Sequence, residues 1–138
     1  MIRPLALALA LTIAASSTAD ARKRRHADPN GNGVTYLAHP AGCPGSRFCA
    51  CGASVRVFGR SIRSLWPSTA WFRFPRTSPA PGMVAVRSGH VFVLESHVGG
   101  SNWLVSDYNS GGHQSRRHVR SIAGYAIVNP HGSRVSSL

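Results

Sequence analysis

Three residue types in one order carry the most specific chemistry in this chain: Cys51 in FCACGASVRVFG, His90 in SGHVFVLE, and Asn109 in LVSDYNSGG. A thiol, then an imidazole, then a side-chain amide is the order of a nucleophile, its base and the group that orients the base. Asp107, two residues before Asn109, is a second candidate orienter. The CAC doublet makes Cys49 a rival for the nucleophile. His26, His39, His97, His113, His118 and His131 show no metal-ligand spacing and are read as exposed, and CxC alone is weak zinc spacing. No metal or other cofactor is expected.

The elements around these residues can be read from their periodicity. Cys51, Val55, Phe58, Ile62 and Leu65 fall at spacings of four and three, which predicts one face of a helix from Cys51 to Leu65. Gly59 can divide it, and Trp66-Pro67 should end it. Cys51 then lies in the first turn, where unpaired amides and the helix dipole favour a thiolate over a thiol. Downstream, MVAVRS from Met83, HVFVLESHV from His90, NWLVSDYN from Asn102 and AGYAIVNP from Ala123 read as strands. A two-residue turn at Gly99-Gly100 would set His90 opposite Asn109, Phe92 opposite Asp107 and Leu94 opposite Val105, all on one face. A slip of one residue would turn His90 to the other face.

Between helix and sheet lies the proline-rich, aromatic stretch WPSTAWFRFPRTSPAPG. Its aromatic residues suit either a core lid or the wall of a groove. Trp66, Trp71 and, further on, Trp103 are the candidate substrate-binding aromatics.

Composition bounds where such a thiol would work. Residues 1–21 combine a positive start, an apolar run and small residues at Ala19 and Ala21, the pattern of a cleaved secretory signal. Residues 22–40 read as a flexible basic leader, 41–132 as one folded domain and 133–138 as a tail. The apolar run is too short to span a bilayer, so the mature chain is expected to lack a transmembrane segment and to be periplasmic or extracellular. Of 138 residues, 16 are Lys or Arg and 4 are Asp or Glu, for a net charge of +12. Such a balance favours an anionic partner. The basic residues fall into no nucleic-acid-binding motif, so peptidoglycan or another anionic envelope polymer is the expected partner rather than nucleic acid. Three cysteines leave one unpaired within the chain. A Cys43–Cys49 bridge, which would close the GCPGSRFC loop, is expected to leave Cys51 free, since a Cys49–Cys51 bridge would be strained.

FCACGASVRVFG, PAPGMVAVRSGHVFVLE, WLVSDYNSGG and GYAIVNP together resemble the CHAP domain of the NlpC/P60 cysteine peptidase and amidase group. The resemblance spans Cys49 to Pro130, although Met83 stands where that family usually has an acid. It implies an α+β, papain-like fold in which an N-terminal helix carrying the cysteine packs on a small antiparallel sheet. It also implies hydrolysis of peptidoglycan amide bonds, as amidase or endopeptidase, with Cys51 as nucleophile, His90 as base, and Asp107 and Asn109 as the polar pair. Two other classes fit the same composition. One is a CHAP-like module without activity, whose basic face with Arg116, Arg117 and Arg120 holds an anionic glycan. The other is a small basic secreted protein that binds anionic envelope components and whose cysteines are structural.

Overall fold

The computed structural model describes residues 33–133. The expected signal over residues 1–21 and most of the expected basic leader, with the tail beyond residue 133, lie outside the described residues. Among the described residues the fold is α+β: one α-helix and a six-stranded antiparallel sheet. The strands are β1 (Thr35–Tyr36), β2 (Val84–Arg87), β3 (His90–Gly99), β4 (Asn102–Ser110), β5 (Gln114–Ser121) and β6 (Ala126–Val128). Their order is β1-β5-β4-β3-β2-β6. Because Thr35 and Tyr36 pair with Arg117 and Arg116, the chain joins the sheet earlier than residue 41.

Helix α1 (Cys49–Phe58) starts two residues before the expected Cys51 and stops seven short of Leu65. Gly59 ends it in a left-handed conformation (φ 74°), donating its amide to the Val55 carbonyl, a conformation glycine adopts without a Cβ clash. Ile62 and Leu65 therefore lie beyond the helix, and two 3-10 turns follow, Arg63–Leu65 and Ser68–Arg73. Phe48, the residue before the helix, makes no side-chain capping bond to the first-turn amides.

Shifting the start of the helix changes which face meets the sheet. Cys49, Ala50 and Ala53 pack with Val84, Val86, Val91, Val93 and Trp71 in the cluster beneath α1. Cys51 points elsewhere, toward Phe48 and Tyr108. Two residues are about 200° apart around a helix, so the two cysteines leave it on opposite sides. Gly52 lies against the Tyr108 ring so closely that a Cβ there would overlap it. Arg56, near the end of α1, is paired at 2.8 Å with Glu95 of β3, and Ser106 of β4 donates to the same carboxylate at 2.5 Å.

The β3–β4 pairing sets Phe92 opposite Asp107 and Leu94 opposite Val105, as the sequence predicts. The turn does not sit where expected. Gly99 pairs with Asn102, leaving Gly100 and Ser101 as the loop, and two irregularities, between Leu94 and Ser96 and between His97 and Gly99, recover the register nearer the strand start. The sheet's other face carries Phe92, Leu94, Trp103, Val105 and Ile127, covered by Met83, Ile122 and Tyr125. Strand β5 has no apolar signal in the sequence, since QSRRHVRS has hardly an apolar residue to alternate.

Overpacking a tight helix–sheet contact costs about 1–3 kcal/mol. Gly52→Ala is therefore expected to destabilise the protein by about 2 kcal/mol, measured by denaturant unfolding; an unchanged midpoint would contradict the close approach of α1 to Tyr108.

Candidate active site

The thiol that meets the histidine is Cys49. Cys43 and Cys51 form a disulfide with Cα atoms 5.8 Å apart, so the expected Cys43–Cys49 bridge and the free Cys51 are both overturned. Helix phase is the reason: Cys51 leaves α1 on the side of the 43–48 loop, whereas Cys49, the first helical residue, faces the start of β3. Cys49 is the one free cysteine among the described residues, and it is buried. Burial pushes its thiol up, but the hydrogen bond and charge of His90, with contributions from the Val91 and Ala50 backbone, outweigh this and hold it below the ordinary 9.0.

His90 opens β3 and shares the face of Phe92, their rings 6.1 Å apart. Its Nε2 lies 2.7 Å from Asp107 Oδ1, which leaves Nδ1 as the ring nitrogen for the thiol. Burial favours the neutral imidazole, yet the bonds to Asp107 and Cys49 and the charges of both raise its pKa to about 9. Around neutrality His90 therefore carries the proton, and its charge favours the thiolate form of Cys49.

Asp107 is fully buried, and three side chains converge on it. His118 Nε2 lies 2.9 Å from Oδ2, and Arg120 donates to the same oxygen at 2.6 Å. Arg120 is itself fixed over the Phe92 ring at 4.8 Å and donates to the Tyr125 hydroxyl at 3.1 Å. Burial alone would raise the Asp107 pKa, but the bonds from His118 and His90 and the charges of His90 and Arg120 hold it well below the usual carboxylate range. His118, read from the sequence as exposed, is a partner of this carboxylate, with 15% of its side-chain surface accessible. Both His118 and Arg120 come from β5, the strand that the apolar pattern does not reveal; alternation of Arg116, His118 and Arg120 was the signal available.

Asn109 does not take the place opposite His90. β4 leaves its register after Asp107, Asn109 adopts φ 56°, and its Oδ1 lies 2.9 Å from His113 Nδ1. The carboxylate on the diagonal is thus the group bonded to the imidazole. Asn109 instead lines a cavity of about 390 Å³, together with Arg47, Cys49, Trp66 and Ser68. Trp66 is held there by donation from its Nε1 to Ser61 Oγ at 3.0 Å. Of the other two candidate aromatics, Trp71 is fully buried under the sheet, its Nε1 donating to the Leu65 carbonyl at 2.9 Å. Trp103 packs in the cluster on the opposite face, against His97. Neither reaches the cavity, because both are consumed by the core.

Among the described residues no group of histidine, cysteine and acidic side chains could hold a metal ion, and no helix is long and apolar enough to cross a membrane. No family model matches this chain, and neither a curated protein nor a solved structure matches it.

Two outcomes test the geometry. Peptide mapping without reductant should find Cys43 linked to Cys51, with Cys49 alone alkylated. In the pH dependence of iodoacetamide labelling, the midpoint for Cys49 should lie below 9.0 in the wild type. Asp107→Asn removes the anion that keeps His90 protonated, so the thiolate loses its counter-ion and the midpoint should move up toward 9.0. A midpoint unmoved by that substitution would exclude Asp107 as the support of the pair.

Proposed function

We propose that this protein is a secreted thiol hydrolase that cleaves amide bonds of peptidoglycan, with Cys49 as nucleophile, His90 as acid and base, and Asp107 as the orienting anion. The observation that carries the reading is the His90–Asp107 bond of 2.7 Å beside a buried free thiol at the head of a helix. The resemblance to the CHAP branch of the NlpC/P60 group, with its papain-like arrangement of helix and sheet, suggests the substrate. The nucleophile carried over from it moves from Cys51 to Cys49, the other half of the CAC doublet. Export through residues 1–21 would bring the protein to the envelope, and a disulfide suits an oxidising compartment.

The chemistry follows from the protonation states. The Cys49 thiolate adds to the scissile carbonyl, forming a C–S bond, and the oxyanion is met by the Cys49 backbone N–H at the uncapped helix start. Asn109, whose Oδ1 is already engaged by His113, supplies an amide as second donor from the cavity wall. The imidazolium gives its proton to the departing amine as the C–N bond breaks, leaving a thioester and neutral His90. His90 then takes a proton from water as the hydroxide adds. Collapse of that adduct breaks the C–S bond, releases the acid and restores the ion pair.

Amine release from purified peptidoglycan tests the assignment. Cys49→Ser should lose more than about a thousandfold in rate, whereas the double variant Cys43→Ser with Cys51→Ser should retain hydrolysis in proportion to the protein that remains folded. Because the amine departs with a proton from His90, hydrolysis should fall as pH rises through about 9. Equal release by wild type and Cys49→Ser would end the proposal.

A further inference from the structure

The cavity beside Cys49 has in its wall an exposed cation that meets no acid among the described residues. Arg47 lines it, and among the described residues Arg47 has no hydrogen-bond or ion-pair partner. Its backbone sits in the left-handed region, at φ 52°, a region that residues with a Cβ seldom occupy. Two neighbours hold it there. The Cys43–Cys51 disulfide closes the loop that contains it, and Phe48, 1% exposed, anchors the next position. A second guanidinium, that of Arg63, lies 4.8 Å from the centre of the Trp66 ring that forms another part of the wall.

No acid balances these charges. Glu95 and Asp107 are the only acidic residues from 33 to 133. Glu95 is taken by Arg56 and Ser106, and Asp107 by His90, His118 and Arg120. The site can therefore meet a negative group and has nothing for a positive one. An arginine fork matches a carboxylate in two parallel hydrogen bonds, and a carboxylate is the anion that a peptide substrate itself carries.

We propose that Arg47 receives a free carboxylate borne by the substrate beside the scissile amide, so that the enzyme acts on acidic peptides in preference to neutral or cationic ones. This inference rests on the thiol-hydrolase reading, and it assigns Arg47 to substrate selection and not to bond making.

Two alkylating agents that differ in one charge test it on the full mature chain. Iodoacetate carries a carboxylate next to its reacting carbon, and iodoacetamide carries the neutral amide. The rates at which each modifies Cys49 at neutral pH form a ratio that is independent of how much protein is folded. Relative to wild type, the ratio of iodoacetate to iodoacetamide should fall about threefold in Arg47→Gln and further in Arg47→Glu. Arg60→Gln, which removes one charge outside the cavity, should leave it unchanged. A ratio that moves equally in Arg47→Gln and Arg60→Gln, or in neither, overturns the role of Arg47 while leaving the reactive thiol intact. If wild-type Cys49 reacts no faster than an ordinary thiol with either agent, the hydrolase reading fails and this inference with it.

Discussion

The bond network around Asp107 is the constraint on which the rest of the site depends. A carboxylate with no accessible surface is costly to ionise unless its neighbours replace the lost water, and losing one partner of such a group costs about 3–5 kcal/mol. Here the neighbours come from two strands. His90 enters from β3, and His118 and Arg120 from β5 on the other side of β4. Asp107 therefore ties three adjacent strands together on one face of the sheet. The same negative charge keeps the imidazole protonated, and the imidazolium keeps the Cys49 thiol depressed. A structural anchor and the electrostatic source of the depressed thiol pKa are one group.

A second constraint acts from the other face. Cys49 belongs to the cluster beneath α1, whereas His90 shares its face with Phe92. They meet because Cys49 is the first residue of the helix and His90 the first of its strand, so both lie at the same edge of the sheet. Close packing of Gly52 on Tyr108 and the pairing of Arg56 with Glu95 fix the helix against β4 and β3. The disulfide fixes the loop that leads into it. Helix position, and with it the reach of the thiol, is thus held at both ends.

How much of this was legible in the chain varies by residue. His90 and the face it shares with Phe92 and Asp107 follow from alternation, since strands β3 and β4 have a strong apolar period. The turn was misplaced because Gly99-Gly100 and Gly100-Ser101 are both acceptable two-residue loops, and the bulges that compensate leave no mark in composition. Which thiol faces the histidine is hidden in the sequence for a different reason. Ile62 and Leu65 continue the helical spacing from Cys51, but Gly59 ends the helix before them; the shorter face of Cys49, Ala53 and Val57 was equally present and less conspicuous. Strand β5 was illegible because its side chains are spent on Asp107, Glu95 and solvent instead of on an apolar core.

By itself the sequence determined the chemical inventory: one histidine opening a strand, an acid on its diagonal, a cysteine doublet at a helix start, and an excess of cations with few acids to meet them. Those follow from residue identity and local period, which act over one or two turns of chain. Only the tertiary structure decided which cysteine is free and meets the imidazole, which polar group holds that imidazole, and that His118 and Arg120 belong to the site. Each of these depends on where elements distant in sequence converge, and the energy of a buried charge is set by that convergence and not by its neighbours along the chain.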